Sequence, residues 1–194
     1  MRRISLFVLG VVAVSTSALA QTPDDAIATA LLALPANMRE AATVIKWKPD
    51  QTYDTLKKGT NGLVCYDRSG FPLQQPFSIE CTAMGNLPRV AQNLKAEALG
   101  DNAKSEAMLN AAEKDRTRVK PEFGSVWYHF AGPDREHARP HMTIAVPGAT
   151  AQSLGLPDER RQDSVWIMNA GTSDRKSTRL NSSHSAKSRM PSSA

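Results

Sequence analysis

The period of the apolar positions changes several times along the chain, and each change marks an element. Ile27, Leu31 and Leu34 fall on one helical face. Thr22 and Pro23 supply an N-cap and a first-turn proline, Asp24 and Asp25 complement the helix dipole, and Pro35 stops the run. From Thr43 to Lys48 the pattern alternates, which predicts a strand, and Pro49-Asp50-Gln51 turns the chain into a second over Thr52 to Leu56. Gly59-Thr60-Asn61-Gly62 is another turn signal. Leu63 and Cys65, then Phe77, Ile79 and Cys81, mark the apolar faces of two further strands.

Helical spacing returns at Leu87, Val90, Leu94 and Ala98, with Asn86 as the expected cap and Gly100 ending the helix. A second, Ala-rich helix is predicted over Ala103 to Lys114. Strand-like runs follow at Ser125 to Phe130, His141 to Val146 and Ser164 to Asn169. Helices and strands come in blocks rather than alternating. The expected class is therefore α+β, with a mainly antiparallel sheet and a few helices packed on one side.

The two ends of the chain have a different character. Residues 1–20 carry the three parts of a secretory signal peptide: Arg2 and Arg3, the apolar run Ile4 to Val14, and a small-x-small cleavage site between Ala20 and Gln21. That run of 11 residues is well short of the roughly 20 needed to span a bilayer. At the other end, Asp174 to His184 reads DRKSTRLNSSH, which matches a translated short-read sequencing adapter residue for residue, and SRMPSSA at Ser188 to Ala194 resembles its continuation. The sequence thus reads as a signal peptide over 1–20, one α+β domain over 21–173 truncated at its C-terminus, and an adapter-encoded tail over 174–194.

This division changes the electrostatics. The whole chain is formally +5, but residues 21–173 hold 17 basic against 18 acidic residues. The basic character that would point to nucleic acid lies in the two ends, so no nucleic-acid partner is expected. No integral membrane segment is expected after signal removal, and the compartment is secreted or periplasmic.

Cys65 and Cys81 are the two cysteines, and export places them where disulfides persist. Each shares the apolar face of its strand, so a hairpin brings them opposite one another. Closing a loop of about 15 residues is worth roughly 3 kcal/mol in the chain-entropy model. No Cys-x-x-Cys motif points to redox chemistry.

The histidines are the main candidates for chemistry. His129, His137 and His141 lie within VWYHFAGPDREHARPHMTIAV, and Pro140 argues against a helix there. In a hairpin, Val126, Tyr128 and Phe130 share one face with Met142, Ile144 and Val146, which leaves His129 and His141 together on the other. Directly opposed, their Cβ atoms would lie about 5 Å apart. His137, or Asp134 or Glu136 from the loop, would supply a third ligand for zinc or iron, leaving an open coordination position. The competing reading is a half-exposed sheet face on which histidine is tolerated.

Other signatures are weak. There is no Gly-x-Ser-x-Gly elbow, and Gly59 to Gly62 lacks the spacing of a phosphate loop. Asp158-Glu159 reads as loop charge, and Trp47, Trp127 and Trp166 read as core, with an aromatic ligand platform as the alternative. The stretches ATVIKWKPDQTYDTLKKGTNGLVCYDR, KPEFGSVWYHF and TIAVPGAT resemble a group of uncharacterised secreted bacterial proteins. That resemblance implies an exported protein with the group's common fold, and it transfers no catalytic residue. The expected function is a non-catalytic binding or envelope-associated protein, with a histidine-ligated metal enzyme as the alternative.

Overall fold

The computed structural model describes residues 22–157, 159, 165–168 and 170–172; the expected signal peptide over 1–20, its expected cleavage site between Ala20 and Gln21, and the expected adapter-encoded tail over 174–194 lie outside them. The element order is α1 (Pro23–Ala30), a 3-10 turn (Leu31–Ala33), α2 (Ala36–Arg39), β1 (Thr43–Trp47), β2 (Tyr53–Lys57), β3 (Leu63–Asp67), β4 (Phe77–Ala83), a second 3-10 turn (Met84–Asn86), α3 (Leu87–Glu97), α4 (Asn102–Lys114), β5 (Val126–Gly132), β6 (Arg139–Ile144) and α5 (Ala151–Leu154). The strands form a six-stranded sheet in the order β2-β1-β3-β4-β5-β6. The class is α+β with a mainly antiparallel sheet, as expected. One pairing differs: β1 and β3 run parallel, because β2 pairs with one edge of β1 and the chain returns along the other.

The helix signals operate locally. The Thr22 hydroxyl accepts from the Asp25 backbone N–H, and the Asp101 carboxylate accepts from Lys104 at the start of α4. Gly100 sits beyond α3 at φ +67°, a conformation that favours glycine. Asn86 departs from expectation. It occupies the N-cap position of α3 without bonding to that helix through its side chain. Fully buried, its amide instead donates to Thr82 and Ser125 and accepts from the Glu122 N–H, so it ties β4 to the approach to β5.

Helices cover both faces of the sheet rather than one. On the first face, α1 and the 3-10 turn lay Ala30, Leu31 and Leu34 over Val44, Cys65, Ile79 and Cys81. On the second, Leu87, Val90 and Leu94 of α3 cover Ile45, Trp47, Val64 and Tyr66. Successive residues in β1 and β3 are buried, Val44 with Ile45 and Val64 with Cys65. Strands buried on both sides need cover on both sides.

Cys65 and Cys81 are direct partners in the β3–β4 ladder, with Cα atoms 4.1 Å apart, and they form a disulfide with no exposed surface. The strand expected at Ser164–Asn169 is not one: Val165–Ile167 are irregular, and Ser164 and Asn169 lie outside the described residues. Trp166 and Ile167 are nonetheless buried, so their apolar character reflects docking rather than strand pairing. β6 begins two residues earlier than the pattern implied and includes Pro140, which an edge strand tolerates because its free side needs no donor. Among the described residues, no helix is long and apolar enough to cross a membrane.

Candidate functional site

The ladders align four side chains across the second face of the sheet. Tyr66 pairs with Glu80, Glu80 with His129, and His129 with His141. The opposed histidines predicted from the alternation are therefore present. Their rings stack, with centroids 4.3 Å apart and planes 7° from parallel.

Glu80 is the hub of this row. Its side chain is 4% exposed, and the Tyr66 hydroxyl and the Arg68 Nη1 each donate to it at 2.9 Å. Arg68 donates through Nη2 to Glu97 on α3, where Gln74 also donates. His129 Nδ1 lies 3.6 Å from the same Glu80 oxygen that Arg68 holds. Burial opposes the Arg68 charge, but Glu80 and Glu97 outweigh it and hold the guanidinium above its usual value. The arrangement fastens the middle of the sheet to α3 through charge-assisted hydrogen bonds.

His137 is placed elsewhere. It lies in the β5–β6 loop with its side chain 65% exposed, and Asp134 holds it: the carboxylate accepts the His137 backbone N–H and lies 2.8 Å from Nδ1. Those bonds keep the Asp134 carboxyl below its ordinary value, the backbone bond first and the ring second. The expected ligand set is thus divided, with His129 and His141 on the sheet and Asp134, Glu136 and His137 in the loop. Among the described residues, no three His, Cys, Asp or Glu side chains come together in a way that could hold a metal ion.

A second feature lies at the carboxyl ends of the parallel strands β1 and β3. The β1–β2 turn, the β3–β4 loop and the end of α3 enclose a crevice of about 300 Å³, walled by Trp47, Pro49, Phe71, Pro72, Leu94 and Ala98. Trp47 is 5% exposed and meets Tyr53 and Tyr66 edge-on at 5.4 and 5.8 Å. Its Nε1 is buried with no hydrogen-bond partner among the described residues. A buried donor left unpaired costs about 1–3 kcal/mol. The sequence placed Trp47 in the core, and it is there, but alternation alone does not reveal a wall that faces a crevice.

The chain matches no protein-family model, no curated protein and no solved structure.

Proposed function

We propose that the protein is an exported, disulfide-stabilised binding domain of the periplasm or extracellular space, and that it takes a small ligand in the crevice at Trp47 without catalysing a reaction. The crevice itself carries this reading, because about 300 Å³ walled mainly by Trp47, Pro49, Phe71, Pro72 and Leu94 is the kind of apolar concavity that small-molecule sites offer. The signal-peptide pattern of residues 1–20 and the buried Cys65–Cys81 bridge support the compartment. The Glu80 row acts as internal fastening.

Ala98 is exposed on the crevice wall, so Ala98→Trp fills the space at little cost to the core. Saturation-transfer NMR with ethylbenzene, acetophenone and benzyl alcohol tests the site. Binding by at least one probe that disappears in Ala98→Trp, with unchanged circular dichroism, supports the reading. No binding, or binding indifferent to that variant, overturns it. The compartment is tested by N-terminal sequencing of the mature protein, with Gln21 expected first. The adapter origin of 174–194 is tested by resequencing the source locus through codon 174. Finding DRKSTRLNSSH there again would refute it.

A second reading, a metal-dependent enzyme, is favoured by one observation: His129 and His141 oppose each other directly, with Glu80 alongside. It would require the loop bearing His137 to swing toward the pair. Stoichiometric zinc or iron in purified protein, lost in the His129→Ala/His141→Ala double variant, supports it. Protein that retains neither metal after incubation eliminates it.

A further inference from the structure

A second concavity, sharing no lining residue with the Trp47 crevice, forms where the end of α4 and the segment leading to β5 meet the turn after β6. It encloses about 570 Å³, and Arg116, Arg118 and Lys120 line it with one carboxylate, Glu113. Three cations against one acid leave two positive charges there, in a domain whose basic and acidic residues otherwise nearly cancel. Arg118 is buried in the wall, where it donates to Gln92 and Asn93, and its place is structural. Arg116 and Lys120 differ. Both are exposed on the cavity, and neither side chain has a hydrogen bond or ion pair among the described residues. The helix dipole does not call for them, because Lys114 already occupies the last turn of α4.

Arg116 moreover stands where glycine is favoured. The Thr117 N–H donates to the Ala112 carbonyl and the Arg116 N–H to that of Glu113, the pair of bonds that ends a helix on a left-handed residue. Arg116 takes that conformation at φ +58°, which is strained for a residue with a Cβ. Glycine would close this helix with less strain; arginine adds a guanidinium at the cavity. Across from it, the Gly148 and Gly171 N–H groups already donate, to the carbonyls of Thr172 and Ala149. We infer that this cavity is a second binding site and that it takes a phosphate monoester, with Arg116 and Lys120 as the recognising groups. The guanidinium fork matches phosphate oxygens, and two positive charges balance the roughly −1.5 to −2 that a monoester carries near neutrality. A diester, with a single charge, leaves part of the field uncompensated. The cavity is larger than a bare phosphate, so the group arrives on a larger body, a free small molecule or a lipid headgroup.

Isothermal titration of purified protein at low ionic strength compares glycerol 3-phosphate with dimethyl phosphate, and vesicles bearing phosphatidic acid with vesicles bearing phosphatidylglycerol. Binding of glycerol 3-phosphate identifies a free ligand, and binding of phosphatidic acid vesicles alone identifies a headgroup; either supports the monoester. Dimethyl phosphate is expected to bind at least about fivefold more weakly than glycerol 3-phosphate. Raising the ionic strength to about 0.15 M, where charges are screened beyond about 8 Å, is expected to weaken binding. Arg116→Gly removes the cation and relieves the backbone, so affinity is expected to fall at least about fivefold while Tm holds or rises. Lys120→Gln is expected to lower affinity to a similar extent with Tm unchanged. The basic residues beyond 173 also attract anions, but without regard to these two substitutions. Binding unchanged in both variants therefore overturns the site, as does failure of both phosphomonoesters to bind. A fall in Tm in Arg116→Gly would make the arginine structural and count against it. Equal binding of dimethyl phosphate, or of phosphatidylglycerol vesicles, would overturn the monoester class. None of these outcomes bears on the Trp47 crevice.

Discussion

Replacing Arg68 by methionine tests whether the buried row fastens the fold. Methionine keeps much of the length and the apolar stem while removing every donor. Arg68 is 3% exposed and supplies hydrogen bonds to both Glu80 and Glu97. Removing one member of a buried ion pair costs about 3–5 kcal/mol, because the remaining charge is stranded. Two features place this case at the lower end. Glu80 keeps the Tyr66 hydroxyl at 2.9 Å, and Glu97, 18% exposed, retains some access to water. The expected loss is therefore about 3 kcal/mol, or about 6–12 °C in Tm for a domain of this size. Urea unfolding at pH 7 measures it, with Glu80→Gln made in both backgrounds. Once Arg68 is gone, neutralising Glu80 relieves the stranded carboxylate, so Arg68→Met/Glu80→Gln is expected to be less destabilised than the two single losses added together. A cost below about 1 kcal/mol for Arg68→Met, or simple additivity in the cycle, would refute the fastening role.

Reducing the Cys65–Cys81 bridge, which spans 16 residues, is expected to lower stability by about 3 kcal/mol through loop entropy. Paired urea curves with and without reductant check this, and coincident curves would count against it. Gly59→Ala is expected to cost about 3 kcal/mol or more. A Cβ there would lie 2.3 Å from the Ala41 carbonyl oxygen and 2.4 Å from the Thr43 nitrogen, both backbone atoms, so near-native thermal stability would contradict this packing. At the β5–β6 loop, Asp134 is held below its ordinary value by the His137 bonds. Its contribution is therefore present above the unfolded value and lost as pH falls through the folded one. The His137 amide shift is expected to titrate with a midpoint below 3.8; a midpoint at or above that value would remove the tie.

Much of the fold was legible because local rules and tertiary needs agree. The Thr22 cap, the Gly100 stop and the strands β3, β4 and β5 all appear where the residues placed them. The parallel β1–β3 pairing was not legible, since two turns separate the strands and neither fixes which edge of β1 receives β3. Cover on both faces was visible in part, in the adjacent apolar pairs Val44-Ile45 and Val64-Cys65. The expected strand at Ser164–Asn169 failed for the opposite reason. Val165, Trp166 and Ile167 have the composition of a strand, but burial alone accounts for them.

The candidate site divides along the same line. Opposition of His129 and His141 followed from a period of two on each strand, because once the apolar faces pair the second faces must pair as well. Glu80 was missed because Ser78, Glu80 and Thr82 alternate with Phe77, Ile79 and Cys81, the usual pattern of a face turned to water. All three polar residues are instead buried, and each has its own partner: Tyr66 and Arg68, on the neighbouring strand and its extension, donate to the two oxygens of Glu80, Ser78 donates to Gln74, and Thr82 accepts from Asn86. A polar strand face thus carries two opposite meanings, and only the charge on the adjacent strand separates them. Tyr66 and Arg68, spaced two apart on one side of β3, are that signal here. Trp47 gave no corresponding signal, because an unpaired donor is defined by what does not approach it. Sequence spacing predicts which side chains meet, but it has no means of predicting where a buried hydrogen is left without an acceptor.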